Sequence, residues 1–208
     1  ALAALAASAP GRIEPVSCDM RDTDAVEALV DACLDRFGRV DAVVNNAGIA
    51  PAGKLVDTDL AVMEETLAVN VIAPAALSRS AARYWIASET PGAIVNIASL
   101  SGLKGKALLS SYSASKGAVV RLTESLAVEW ARYNIRVNTI APGAFQTDAQ
   151  AAVLDDPATL EARLRKIPGR RMAEPHEIGP LAAYLVSPLS LFVTGSCFVI
   201  DGGEFARL

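Results

Sequence analysis

The chain has 208 residues, enough for a single domain with a real core, and 52% of them are hydrophobic while only 5% are aromatic. Such a core is built from Ala, Val, Leu and Ile, the composition of strands buried on both faces and covered by helices. A net charge of −4 argues against nucleic acid or an anionic membrane as the main partner. The lone His176 cannot build a multi-histidine metal site, and no apolar run approaches the roughly 18 residues a membrane span needs.

In chain order, residues 1–10 read as the last turns of a helix, rich in Ala and Leu and stopped at Pro10-Gly11. Residues 13–18 read as a strand, 24–37 as a helix closed by Gly38, and 40–45 as a second strand. One long helical region covers 60–87, broken near Thr66, with Leu67, Val71, Ala75, Ser78, Ala82 and Trp85 down one side. Residues 93–98 form a third strand and 113–133 a long helix, with Ala118, Leu122, Ser125, Leu126 and Glu129 at helical spacing. Residues 136–140 form a fourth strand, and the polar stretch 141–171 holds a mobile helix or two. Residues 174–187 read as a helix with Pro175 in its first turn, and 197–200 as the last strand, ending at Asp201-Gly-Gly203.

This alternation predicts an α/β domain spanning 1–208, a Rossmann-like doubly wound parallel sheet with helices on both faces. Ligands then bind beyond the carboxyl ends of the strands. Asp19 and Met20 follow the first strand, Asn45-Asn-Ala-Gly48 the second, Ser99 the third, and Pro142-Gly143 with Thr147 the fourth. Each alone is ordinary turn or cap chemistry. Tyr112-x-x-x-Lys116 puts both side chains on one helical face, a spacing that is weak by itself. The three cysteines, Cys18, Cys33 and Cys197, have no metal-ligand spacing and read as buried free thiols in a reducing compartment. Trp85 and Trp130 read as packing or subunit-contact residues, and His176 as a surface residue.

Taken in order, Asn45-Asn-Ala-Gly48, Asn70, Ser99, Tyr112-x-x-x-Lys116, Pro142-Gly143 and Thr147 resemble the short-chain dehydrogenase/reductase family, from about residue 11 onward. The thirteen-residue step from Ser99 to Tyr112, the run Arg136-Val-Asn-Thr-Ile-Ala-Pro-Gly143 and the closing Val193-Thr-Gly and Asp201-Gly-Gly fit the same pattern. The resemblance implies an NAD- or NADP-dependent oxidoreductase acting on a secondary alcohol or its ketone. It makes Tyr112 the general acid/base, with Lys116 lowering its pKa from about 10 and holding the nicotinamide ribose. Ser99 would hydrogen-bond the substrate oxygen, and Asn70 would hold a water that passes protons to Lys116. Asp19 and Met20 would meet the adenine, and Asn46, Ala47 and Gly48 the adenine ribose. Pro142, Gly143, Phe145 and Thr147 would line the nicotinamide and phosphate region, although Phe145 departs from the usual Ile or Val.

The family's first strand, its glycine-rich phosphate turn and its second strand have no counterpart in these residues. The expectation is a parent protein longer by roughly forty N-terminal residues, one β-α-β unit. Residues 149–171 would be the substrate lid, and the two long helices would pair subunits into a homotetramer or dimer in the cytoplasm. Thr147-Asp148, Leu154-Asp-Asp-Pro157, Ile167-Pro168, Arg170 and the ending Asp201-Gly-Gly-Glu-Phe-Ala-Arg207 look like sugar-acid dehydrogenases of the gluconate and deoxygluconate type. The alternatives are a 3-oxoacyl carrier-protein reductase and, in another class, a truncated relative that forms oligomers without catalysis.

Overall fold

Why residues 23–37 form a helix is written at both ends. The Asp22 carboxylate caps the start by accepting from the Asp24 and Ala25 amides, and Gly38 closes it at φ 74°. A computed structural model describes residues 6–9 and 11–207. Within it the elements are α1 (Thr23–Phe37), β1 (Ala42–Asn45), α2 (Leu60–Leu67), a π-helical segment (Ala68–Ile72), α3 (Ala73–Ser88) and β2 (Gly92–Ile97). They continue with α4 (Ser110–Trp130), β3 (Ile135–Pro142), α5 (Ala151–Leu154), α6 (Pro157–Leu164), α7 (Gly179–Val186) and β4 (Cys197–Ile200). Residues 6–8 are helical; residues 1–5 and Pro10, part of the expected opening helix, lie outside the described residues.

The four strands form one parallel sheet in the order β1-β2-β3-β4, so their carboxyl ends share one edge. Side chains alternate between its faces. Val43, Ile94 and Val137 pack with Trp85, Ala127 and Trp130 under α3 and α4, while Val95 and Ile140 pack with Leu185 of α7 on the other side. Burying an aliphatic side chain of this size contributes about 1.5–3 kcal/mol. Both tryptophans are core residues, the Trp85 indole donating to the Val40 carbonyl at 2.8 Å, and His176 is exposed.

Several expectations are corrected. Residues 13–18 form no strand: among the described residues β1 has a strand partner on one side only, and an extended segment without a ladder is not a strand. Cys18 and Cys33 are only half-buried and Cys197 is exposed, so the thiols are free but not buried. The helical run Leu60–Ser88 is long and apolar enough to cross a membrane by length and composition, contrary to the sequence reading. In the fold it is a core helix, burying Asn70, Ser78 and Trp85 against the sheet and its neighbours. Its break falls at the π segment, which shifts the helical phase, so Thr66, Asn70, Ala73 and Ala76 face inward instead of Leu67, Val71 and Ala75. On α4 the inward line is Val119, Val120, Thr123, Ala127 and Trp130; Ser125 and Glu129 are exposed.

A buried polar row crosses the sheet. Asn45, Asn96 and Thr139 are register partners on β1, β2 and β3. Asn45 donates to Asn96 at 2.7 Å and to Ser78 of α3 at 3.1 Å; Asn96 donates to Thr123 of α4 at 2.8 Å, and Thr139 to the same hydroxyl at 2.7 Å. Every member is buried and partnered, which fixes α3 and α4 against the strands.

Candidate active site

The edge where the strands end carries the predicted residues. Ser99 follows β2 and caps the turn Leu100–Gly102, its hydroxyl accepting from the Ser101 amide at 3.1 Å. That turn presses on α4: a Cβ on Gly102 would lie 2.6 Å from the Lys116 carbonyl carbon. Only glycine permits this approach, and it brings the first turns of α4 against Ser99. Tyr112 and Lys116 follow one another along that helix, with the Lys116 ammonium 5.8 Å from the centre of the Tyr112 ring.

Lys116 is buried, and its Nζ donates to the carbonyl of Ile97, the last residue of β2, at 2.7 Å. Desolvation lowers its pKa to about 8. Burial holds the Tyr112 phenol above its ordinary pKa, and hydrogen bonding with Ser99 pulls the other way. The expected lowering of Tyr112 by Lys116 does not appear in this conformation, where desolvation of the phenolate dominates.

Asn70 sits in the π segment, a rare local geometry that recurs at functional sites. Its Oδ1 accepts from the Ile49 amide at 2.8 Å, and its Nδ2 donates to the Ile49 carbonyl at 2.8 Å and to Ser115 at 2.9 Å. It thus binds the loop after β1 to α4, and both amide hydrogens are in use. Gly48 of that loop is pressed into the same corner, where a Cβ would lie 3.1 Å from Asn70 Oδ1 and 3.3 Å from Lys116 Nζ. Asn46 and Ala47 are exposed beside it.

Beyond β3, Gly143 donates to the Ile200 carbonyl at 2.9 Å and lies so close to Asp201 that a Cβ would be 2.6 Å from the Asp201 Cβ. Phe145 forms a bridge with Ala173, but its bonds run from Ala173 to the Ala144 carbonyl and from Gln146 to the Ala173 carbonyl. The Phe145 N–H and C=O are not used in it, and the buried ring leaves the backbone as the part that can meet a ligand. Thr147 opens the turn Asp148–Gln150 without a side-chain cap bond, leaving its hydroxyl exposed.

Asp19 stands apart from this set. Its carboxylate is gripped by the Arg21 guanidinium and amide, which holds its pKa down at about 2. Met20 packs near Val26, Ala73 and Ala76. Among the described residues no cluster of His, Cys, Asp or Glu could hold a metal.

Sequence reasoning missed Ser115, the partner of Asn70, and Arg136, whose buried guanidinium donates to the Leu185 and Ser187 carbonyls and to Ser190. Arg136 caps the carboxyl end of α7, where a cation is favoured. Its place in the run to Gly143 was the available signal.

A hydroxyl pair, a buried ammonium and free backbone groups at the carboxyl edge of a parallel sheet define a Rossmann-type dehydrogenase site. The family model described as Enoyl-(Acyl carrier protein) reductase matches residues 1–204. The chain belongs to the short-chain dehydrogenase/reductase family, NAD(P)-dependent oxidoreductases acting on CH–OH groups. It is 40% identical over 193 residues to a cis-4-hydroxycyclohexanecarboxylate dehydrogenase of Sinomonas cyclohexanicum, covering 92% of this chain and 76% of that one. A short-chain type dehydrogenase/reductase from Mycobacterium marinum superposes at TM-score 0.90 with 35% identity, over 99% of this chain and 80% of that one. A gluconate 5-dehydrogenase from Burkholderia cenocepacia, solved with NADP and tartrate, superposes at TM-score 0.87 with 32% identity, over 91% and 74%.

Proposed function

We propose that this chain interconverts a secondary alcohol and its ketone on a hydroxy acid of the sugar-acid type. Tyr112 is the proton donor or acceptor, Ser99 holds the substrate oxygen beside it, and Lys116 supplies positive charge below the ring. The observation that carries the reading is the Tyr112 ring with the buried Lys116 one turn below it on α4, and the Ser99 turn pressed against that helix at Gly102. In reduction the phenol gives its proton to the carbonyl oxygen while the Ser99 hydroxyl keeps that oxygen within transfer distance. Asn70 holds α4 in place and retains one lone pair on Oδ1 for a water next to Lys116. The substrate class rests on the carboxylate and gluconate relatives and on the chain's own closing residues.

Nicotinamide supplies or takes the hydride when bound. This chain fits that end of the cofactor: the free Phe145 N–H and C=O match a carboxamide, Lys116 has two unused N–H groups for ribose hydroxyls, and the Thr147 hydroxyl and Pro142-Gly143 line the phosphate side. Asn46, Ala47 and Gly48 take the adenine ribose, and Asp19 and Met20 the adenine, where Arg21 competes for the Asp19 carboxylate.

Residues 149–171, carrying α5 and α6, serve as the lid, packed through Leu154, Leu160 and Leu164 on Ala144, Ile167 and Met172. The partly exposed line of Ala118, Leu122 and Leu126 on α4 supports pairing with a second copy as a homodimer or homotetramer, which light scattering reads directly. The three free thiols support a cytoplasmic location.

The deciding experiment is a substrate panel followed at 340 nm with NAD(P)(H). Sugar acids turn over, and Tyr112→Phe retains no more than a few per cent of the activity. Turnover of acetoacetyl thioesters but no sugar acid would reverse the assignment toward a 3-oxoacyl carrier-protein reductase. Absence of any thermal shift with NADH or NADPH would favour the non-catalytic scaffold.

A further inference from the structure

The loop after β1 and the start of α4 form the two walls of one groove. At one end Gly48 lies against Asn70 and Lys116, and the Asn70 amide binds both Ile49 of the loop and Ser115 of the helix. Ser111 stands four residues before Ser115 on the same helical face, one turn and about 6 Å further along. There the groove holds a cleft of about 180 Å³, lined by Pro51, Leu55 and Val62 from one wall and by Leu108, Ser110 and Ser111 from the other. The Gly53 amide donates to the Leu108 carbonyl at 2.8 Å and ties the walls together, with Leu108 held at φ 66°.

The lining is mostly apolar, and none of its side chains is charged. An apolar cavity of about 150 Å³ is enough to take a benzene ring, so this cleft has room for one six-membered carbocycle or a short branched chain. Its hydroxyls are unequally occupied. That of Thr58 is committed to the Lys54 carbonyl at 2.8 Å. Ser111 is only 6% exposed, and among the described residues its hydroxyl has no hydrogen-bond partner. The Ser113 hydroxyl is sealed inside the protein, whereas that of Ser111 keeps an opening, and the opening is the cleft. Leu109 supplies no side-chain cap, so the first-turn amides of α4 add donors at the same end. A buried hydroxyl is costly without a partner, and this one stands where the oxygen of a ligand would meet it.

We propose that this cleft is a distal subsite for the substrate: it receives a compact, carbon-rich, uncharged part of the molecule, whose oxygen bonds to Ser111 while the secondary carbinol reacts at Ser99 and Tyr112. Ser111 and Tyr112 are consecutive, their Cα atoms about 3.8 Å apart, so one small molecule reaches both. The proposal rests on the alcohol–ketone reaction proposed above. It narrows the hydroxy acid to one with a carbocyclic or branched body, its carboxylate lying outside the cleft.

The test uses the full chain with NAD(P) in three forms: wild type, Ser111→Ala, and Val62→Phe, which fills the cleft from α2. Two alcohols are compared by kcat/KM. Cyclohexane-1,4-diol can offer one carbinol to Tyr112 and its other oxygen to Ser111, whereas propan-2-ol reacts without reaching the cleft. Diol binding is also measured by calorimetry. Wild type prefers the diol at least tenfold. Each variant lowers that preference by about fivefold or more, the worth of one neutral hydrogen bond, through KM for the diol, and leaves propan-2-ol near wild type. An unchanged preference in either variant overturns the proposal, and so does an equal loss with both alcohols, the sign of a merely structural role. Turnover of D-gluconate with no preference for the diol over propan-2-ol also overturns it, and leaves the dehydrogenase reading standing. If wild type oxidises nothing, diol binding that both variants weaken keeps the subsite and removes the reaction reading; absence of diol binding overturns the subsite.

Discussion

The Asn70 amide donates to the Ser115 hydroxyl at 2.9 Å, and that hydroxyl donates in turn to the Tyr112 carbonyl at 2.8 Å. Through the paired bonds of Asn70 to Ile49, the loop after β1 is tied to the turn of α4 that carries both Tyr112 and Lys116. The site is positioned from the side by a buried amide, not only from below by the sheet.

Asn70→Ala removes three hydrogen bonds at once and strands the Ile49 amide and carbonyl. Leaving such groups unsatisfied costs about 1–3 kcal/mol each where water cannot reach them. Solvent reaches part of this loop, so the expected loss is about 2–4 kcal/mol, read from the denaturant midpoint with an unchanged slope. A loss below about 0.5 kcal/mol would show that the clamp does not hold α4.

Much of this fold is legible because apolar runs and caps are local. The last strand falls at Cys197–Ile200 as expected, and Asp22 and Gly38 bracket α1. The strand expected at 13–18 fails because a strand is a relation between two segments, and no local pattern supplies the partner. The polar row of Asn45, Asn96 and Thr139 was hidden for the same reason: it exists only in the register of three strands distant in sequence. In the site, Ser99, Tyr112 and Lys116 could be placed because their order is distinctive. Ser115 could not, since a Ser in a helix looks the same whether or not an Asn from another element reaches it.

Lys116 makes stability depend on pH in a defined window. The unfolded chain keeps this proton up to about 10.5, while the folded protein releases it from about 8. Between those values the unfolded state binds more protons, so unfolding free energy rises with pH, by at most about 1.4 kcal/mol per unit from one group. Below pH 8 both states are protonated and the burial penalty is fully present. Lys116→Met has no such proton, so wild type gains stability relative to the variant from pH 8 to 10.5. Parallel curves across that range would mean that Lys116 is not desolvated in solution.

Ser113 offers an inexpensive gain. Its hydroxyl is buried with no hydrogen-bond partner, the only such side-chain atom among the described residues, and it lies inside α4. Ser113→Ala removes an unsatisfied group and adds a better helix former. The variant is expected to be more stable by about 1 kcal/mol, seen as a higher denaturant midpoint. A lower midpoint would show that the hydroxyl is bonded in solution.

Gly102 and Gly117 face each other across the contact that brings Ser99 to α4, yet they differ sharply in tolerance. A Cβ on Gly102 would lie 2.6 and 2.7 Å from the Lys116 carbonyl carbon and oxygen, and 2.9 Å from the Gly117 nitrogen. These are backbone atoms of a helix that also carries the Thr123 anchor to the sheet, so they cannot give way cheaply. Gly102→Ala must push the Ser99 turn off α4, at a cost of about 1–3 kcal/mol typical of overpacking. Because Ser99 moves with its turn, activity should fall more than the stability change explains at temperatures where the variant is fully folded. A Cβ on Gly117 meets only the Gly102 carbonyl, at 3.4 Å, an ordinary contact. Gly117→Ala is expected to leave activity near wild type and to add up to about 1 kcal/mol, the helical preference of Ala over Gly. Equal effects from the two substitutions would mean that the Ser99 turn does not rest on the α4 backbone.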